Sequence, residues 1–151
     1  MGLCDSSLSS GAFAISGNSL GIPKIQIAIP KFYTIPILGG LFAFRGNYSE
    51  GFIGQIPVYL SGNSDNKVVY FHQKSFYGRL GKPEWKLKIY GGFNHQILWC
   101  KDLIALSKYS LVKTYLNIVT GKNRYGDSLG SIDIGFDYIF NNLRLFGYPD
   151  Q

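Results

Sequence analysis

The chain has 151 residues and is 46% hydrophobic and 16% aromatic but only 16% charged, whereas soluble domains carry about 25% charged residues. With 19 Gly, 11 Tyr and 11 Phe, this composition excludes a helical bundle and favours β-structure with many turns. The net charge is +6, yet Lys and Arg are dispersed along the chain, which argues against a nucleic-acid partner. Cys4 and Cys100 have no metal-site or disulfide-framework spacing, so we expect no metal and no cofactor.

Neither a transmembrane helix nor a signal peptide is predicted. The longest apolar stretches, such as Ile35–Phe44, fall well short of the about 20 residues that a spanning helix needs. The first residues, MGLCDSSLSSGAFAIS, lack the basic start and the apolar core of a secretory signal.

Most of the chain alternates apolar and polar residues with a period of two, as strands do. Pro57 marks a bend, an edge or a bulge in this pattern, and Asn141-Asn142 is typical of a two-residue hairpin turn. The candidate strands are Gly11–Ser16, Pro23–Ile29, Leu41–Ser49, Phe52–Leu60, Val68–Leu80, Trp85–Trp99, Ser131–Phe140 and a segment starting at Leu143. The pattern predicts an all-β, antiparallel fold of about seven or eight strands.

One segment, Ser110–Lys122 (SLVKTYLNIVTGK), has helical spacing instead. Its apolar residues recur every three or four positions, including Tyr115 and Ile118. Ser110 suits the N-cap, and Gly121 suits the position after the last turn. We therefore predict one short helix near residues 110–120.

The candidate strand Trp85–Trp99 raises the question of which solvent lies on each face. Odd positions hold Leu87, Ile89, Phe93, Ile97 and Trp99, and even positions hold Lys86, Lys88, Tyr90, Asn94 and Gln96. A soluble sandwich or barrel would turn the apolar face inward, whereas a membrane β-barrel would turn it toward lipid. The strand lengths suit the about 9–11 residues of a membrane strand, and the two Trp residues lie near the ends of the apolar face, as aromatic girdles do. Periodicity leaves both alternatives open.

The segment FHQKSFYGRLGKPEWKLKIYGGFNHQILW, Phe71–Trp99, resembles the capsule-assembly family of outer-membrane β-barrels known as Wzi-like, particularly its Bacteroidetes-type members. The stretch Leu8–Gly51, with its G-x-x-x-I-S-x-N, IPK and IP-I pieces, resembles the preceding segment of that family. The helical segment and LGSIDIGFDY follow in the same order, so the resemblance covers most of the chain. One departure is Trp99-Cys100-Lys101, where the family tends to have a Trp-Gly-Gly-like turn.

The resemblance implies an outer-membrane β-barrel that assembles or retains capsular polysaccharide at the cell surface without catalysis. Family members are longer, with a signal peptide and further strands on both sides. We therefore expect residues 1–151 to be a single partial barrel domain, an internal fragment that lacks the family's N-terminal and C-terminal strands. Because lipid does not tolerate open sheet edges, we do not expect this piece to function alone.

Candidate glycan-binding residues combine positive charge with amides that bind sugar hydroxyls. They are Arg79, Lys86, Lys88, Asn94, His95 and Gln96. The alternative for the cations is ordinary filling of the barrel interior, paired with carboxylates such as Asp133 and Asp137. His95 has the parity of the apolar face, unless a bulge at Gly91-Gly92 turns it inward.

No catalytic constellation is present in the sequence pattern. Asp133 and Asp137 lie four residues apart, about 13 Å along a strand, whereas glycosidase carboxylates lie about 5–9.5 Å apart. No G-x-S-x-G nucleophile motif occurs. We predict non-catalytic binding of capsular or other surface polysaccharide, with outer-membrane lipid as the second partner. The alternatives are a general porin or transport barrel and a soluble β-sandwich carbohydrate-binding module.

Overall fold

A computed structural model describes residues 21–60, 63–100, 110–120, 127–141 and 143–147. Its elements are β1 (Lys24–Thr34), β2 (Phe42–Leu60), β3 (Asn63–Leu80), β4 (Leu87–Cys100), α1 (Leu111–Thr120), β5 (Asp127–Phe140) and β6 (Leu143–Gly147). The six strands form one antiparallel sheet in chain order, so each strand pairs with the next. Over the described residues the sheet is open, with β1 and β6 at its edges. The predicted all-β, antiparallel class with one short helix is confirmed.

The predicted division of Phe42–Leu60 into two strands is wrong. The candidates Leu41–Ser49 and Phe52–Leu60 are one strand, because a register shift near Gly54 accommodates the irregular sequence without ending the pairing with β3. Gly54 has a φ of 109°, which only glycine adopts readily. The ladder then continues through Pro57. The candidate strand Gly11–Ser16 lies outside the described residues.

The predicted helix is confirmed as α1, and its first turn shows why it begins there. The Ser110 hydroxyl accepts a hydrogen bond from the Lys113 backbone N–H at 3.4 Å, which is the contact of an N-cap. The predicted C-terminal glycine, Gly121, lies outside the described residues. Within the described ranges, no helix is long and apolar enough to cross a membrane.

The register assigns each strand residue to one of two faces, because cross-strand partners share a face. The apolar face carries Ile25, Ile27, Ile29, Phe42, Phe44, Phe76, Leu80, Leu87, Ile89, Phe93, Ile132, Ile134 and Phe136. The polar face carries Lys24, Arg45, Asn47, Ser49, Gln73, Ser75, Tyr77, Arg79, Lys88, Tyr90, Asn94, Gln96, Asp133, Asp137 and Arg144. The predicted separation of residue types within Trp85–Trp99 therefore extends across the whole sheet.

Exposure of the two faces is the reverse of that in a water-soluble sheet. On β5, Ile132 is 71% exposed and Ile134 is 59% exposed, whereas Asp133 and Asp137 are 8% and 4% exposed. Water-soluble proteins bury apolar side chains and keep carboxylates at the surface. The described residues form a single sheet, so they contain no second sheet that would cover the apolar face as in a sandwich.

Candidate functional site

Four of the six predicted glycan-binding residues lie on the polar face. Asn94 and Gln96 are buried, and Arg79 and Lys88 are half-buried. Lys86 lies apart from them, exposed in the turn before β4. The geometry thus collects a charged and hydrogen-bonding surface from β3 and β4.

His95 lies on the other side of the sheet. The pairing of β4 with β3 is unbroken from Ile89 to Cys100, so no bulge at Gly91-Gly92 turns the ring inward. Its Nε2 lies 3.1 Å from the Ser128 hydroxyl, within hydrogen-bonding distance. His95 therefore belongs to a different cluster from the other predicted residues.

A tyrosine that crosses a glycine organises the centre of the polar face. Tyr77 on β3 pairs with Gly92 on β4, which pairs with Asp133 on β5. The Tyr77 hydroxyl donates to Asp133 Oδ2 at 2.6 Å. A Cβ at position 92 would lie 2.4 Å from the Tyr77 ring and 2.3 Å from the Phe76 carbonyl oxygen, so only glycine leaves space for the Tyr77 ring to cross β4. The buried carboxylate obtains a neutral donor by this route.

The second buried carboxylate has a charged partner. Arg144 on β6 donates through Nε and Nη2 to the two oxygens of Asp137, each at 2.8 Å. This bidentate geometry is the strong form of a charge-assisted hydrogen bond. The expected pairing of these carboxylates with Arg79, Lys86 or Lys88 is therefore wrong. Arg144 binds Asp137, and the Tyr77 hydroxyl binds Asp133.

Two further arginines gather around one aromatic ring. The guanidinium groups of Arg45 and Arg79 lie 5.1 and 5.8 Å from the centroid of Phe32, and Arg45 also lies 5.1 Å from that of Tyr77. The Tyr90 ring packs edge-on against Phe32 at 5.5 Å. We call Phe32, Arg45, Arg79 and Tyr90 the arginine cluster. Cation–π attraction favours these positions of the two guanidinium groups.

Positive charge predominates on the polar face. Among its register-paired residues with described side chains, the cations are Lys24, Arg45, Lys67, Arg79, Lys88 and Arg144, and the carboxylates are Asp65, Asp133 and Asp137. Lys67 and Asp65 form an ion pair at 3.5 Å near the N-terminal end of β3. The excess therefore lies around the arginine cluster, where it favours anions.

On the apolar side, a group of polar residues lies beneath α1. Oε1 of Glu50 is 2.9 Å from the Tyr48 hydroxyl, 2.8 Å from the Tyr115 hydroxyl and 2.6 Å from Nδ1 of His72. The two hydroxyl oxygens are 2.6 Å apart. We call Tyr48, Glu50, His72 and Tyr115 the helix-covered cluster. It ties α1 to β2 and β3 through one carboxylate.

The orientation of α1 is unusual for an amphipathic helix. Tyr115 reaches the helix-covered cluster, and Lys74 of β3 donates to the Val119 carbonyl near the helix C-terminus. On its other side, Val112 is 65% exposed and Leu116 is 54% exposed. Burial, together with hydrogen bonds to Tyr48 and Glu50, raises the pKa of Tyr115 well above its ordinary value. The helix thus covers polar groups and buries Ile118, while Val112 and Leu116 face outward.

An open cleft of about 490 Å³ separates the end of α1 from the sheet. Its lining is formed by Lys74, Phe93, Asn94, His95, Thr120, Gly130, Ser131 and Ile132. The described part of the chain brings no three His, Cys, Asp or Glu side chains together as a metal site requires.

The sequence interpretation missed both groups of contacts around Glu50 and around Phe32. Glu50 is the single acidic residue within Phe42–Leu60, at the same parity as Phe42 and Phe44, and this was the available signal. No comparable signal marks Phe32, because a register shift between Ile29 and Tyr33 decides which side it faces.

The fold and these clusters define a class rather than a family: an antiparallel six-stranded sheet over the described residues, with a buried polar face and an exposed apolar face. Comparisons of the chain with protein-family models, with curated proteins and with solved structures gave no match.

Proposed function

We propose that this protein forms part of an outer-membrane β-barrel that helps assemble or retain capsular polysaccharide at the cell surface. In this proposal the apolar face meets lipid and the polar face lines the interior. Glycan binds to the polar face through charge and hydroxyl hydrogen bonds, and no bond is cleaved.

The observation that carries the membrane part of this proposal is the reversed exposure of the two faces. Exposed Ile25 (81%) and Ile132 (71%) are unfavourable in water but favourable in lipid, at about 25 cal/mol for each Å² of apolar surface transferred. Membrane β-barrels alternate apolar outward and polar inward residues in this way. The outward Val112 and Leu116 of α1 extend the same apolar exterior.

Aromatic residues at one end of the apolar face add support. The ring centroid of Tyr70 lies 5.9 Å from that of Phe52 and 4.8 Å from that of Trp99, on which it stacks. The ring centroids of Tyr115 and Trp99 lie 6.3 Å apart. Trp85, near the opposite ends of the strands, is 48% exposed. Membrane barrels carry girdles of Trp and Tyr at the two interfaces with water.

The polysaccharide part rests on the resemblance to the capsule-assembly family and on the charge of the polar face. Most surface polysaccharides present hydroxyl groups, which Asn94 and Gln96 suit, and acidic ones add a charge that Arg79 and Lys88 attract. A general transport barrel would use the same faces but requires an open aqueous path.

Deletion of the gene tests this function in the organism that makes the protein. We expect the protein in the outer-membrane fraction, and we expect the deletion strain to shed polysaccharide into the medium while total polysaccharide is unchanged. A protein found in the aqueous fraction would contradict the membrane assignment. Unchanged surface polysaccharide together with ion conductance in planar bilayers would favour the transport alternative.

A further inference from the structure

Arg79 has unused hydrogen-bonding capacity in a half-buried position. Its Nη2 donates to the Thr34 hydroxyl at 3.2 Å, while its Nε is buried and has no hydrogen-bond partner. Among the described residues, no carboxylate lies within ion-pair distance of Arg79. A buried charged donor without an acceptor is costly, and an oxyanion satisfies it well.

The neighbouring carboxylates do not supply that acceptor. Both oxygens of Asp137 are bound by Arg144, and Oδ2 of Asp133 accepts from Tyr77. Arg79 therefore keeps a buried donor without an acceptor in an aromatic-lined position. Arg45 and Arg79 both contact the Phe32 ring before a ligand binds, so binding costs less side-chain entropy than it would for two mobile arginines.

We propose that the arginine cluster is a carboxylate-binding site, with Arg79 as its principal donor and Arg45 as the second cation. The planar guanidinium fork matches a planar carboxylate, which a uronic-acid sugar carries. This assignment rests on the proposed glycan-binding function and adds a ligand class and a location to it.

The test uses the protein as the cell makes it, purified in detergent, with trigalacturonate as probe and its methyl ester as the matched neutral probe. We expect trigalacturonate to bind and the ester to bind at least about tenfold more weakly, since the ester lacks the charge that the guanidinium pairs with. Equal binding of the two probes would overturn the carboxylate assignment.

Variants then locate the site. Arg79→Gln should weaken trigalacturonate about tenfold or more, and Arg79→Lys should weaken it less, because the charge remains while the fork is lost. Lys86→Gln is the matched control: it removes the same charge from an exposed turn and should leave affinity unchanged. Circular dichroism on each sample shows whether it is folded. If Arg79→Gln does not fold, Arg79→Lys against Lys86→Gln still decides.

The outcomes separate this site from the general function. If Arg79→Gln and Lys86→Gln weaken binding equally, nonspecific attraction explains it and the site is wrong, even where deletion of the gene releases polysaccharide. If Arg79 is required for trigalacturonate but deletion leaves the surface polysaccharide unchanged, the site stands and the capsule function is wrong.

Discussion

The two faces of the sheet differ in how their side chains are satisfied. On the polar face, the two buried carboxylates find partners on neighbouring strands, Tyr77 for Asp133 and Arg144 for Asp137. On the apolar face, Ile132 and Ile134 have large exposed areas and no covering layer among the described residues. The polar face therefore supplies most of the interactions between strands, while the stability of the apolar face depends on its surroundings. In the proposed function those surroundings are lipid.

The helix-covered cluster is an exception to this division, because it places Glu50 and His72 on the apolar side, where a charge facing lipid would be unfavourable. Tyr115 of α1 contacts the Glu50 carboxylate, whose side chain is 34% exposed, and His72 is fully buried.

The largest expected effect comes from placing a charge on the apolar face. Ile134→Arg should destabilise the protein in bilayers by about 2–4 kcal/mol, the cost of an arginine facing the middle of the membrane. Ile37→Arg, at an isoleucine of similar exposure in the turn after β1, should cost about 0–1 kcal/mol. Denaturant unfolding from vesicles measures both. Equal, small effects would mean that water contacts the apolar face.

Alanine substitutions at two adjacent glycines, one on each face, compare how tightly the two faces are packed. Gly92→Ala should destabilise by about 1–3 kcal/mol, because its Cβ would overlap Tyr77 and the Phe76 carbonyl oxygen. Gly91→Ala faces the apolar side, where the nearest atom is 4.0 Å away, and should change stability by less than about 1 kcal/mol. The same unfolding measurement applies. Equal losses would show that Tyr77 does not cross β4 through that space.

Removing one hydroxyl from the helix-covered cluster should loosen α1. Tyr115→Phe loses the contacts with Glu50 and Tyr48, at a cost of about 1 kcal/mol. Hydrogen exchange of the α1 amides should then accelerate, while that of β3 is unchanged. Leu116→Ala, on the outward side of the same helix, is the control and should have the smaller effect. Equal acceleration in both variants would contradict the role of the hydroxyl.

The smallest effect is a pH dependence at alkaline values. The raised pKa of Tyr115 means that folding favours its protonated form. Its contribution to stability is therefore complete below the ordinary tyrosine pKa of about 10 and declines as the pH rises above it. Exchange of α1 amides, corrected for intrinsic rates, should show added opening above about pH 10 in the native protein and less in Tyr115→Phe, which keeps only the titratable Lys74 contact to Val119. An identical profile in both would contradict this assignment.

The sequence was sufficient for the all-β antiparallel class, the helix and the two faces of most of β4. Period-two alternation holds over Leu87–Trp99 because β4 has no bulge against β3, whereas Trp85 and Lys86 lie in the preceding turn. Alternation failed at β2, where Gly54 allows one long strand in place of two. It also did not reveal the arginine cluster or the helix-covered cluster. Both depend on contacts between residues far apart in the chain, such as Phe32 with Arg79 and Glu50 with Tyr115.

Two adjacent residues of β5 can show whether lipid contacts the apolar face while the polar face is turned away from it, as the proposed function requires. Spin labels at Ile132→Cys on the apolar face and Ser131→Cys on the polar face, with the native cysteines replaced by serine, would be compared in bilayers. We predict that oxygen, which concentrates in lipid, relaxes the label at 132, and that a water-soluble nickel complex does not. The label at 131 should be less accessible to oxygen. A label at 132 that responds to the nickel complex as a surface residue does would contradict the account.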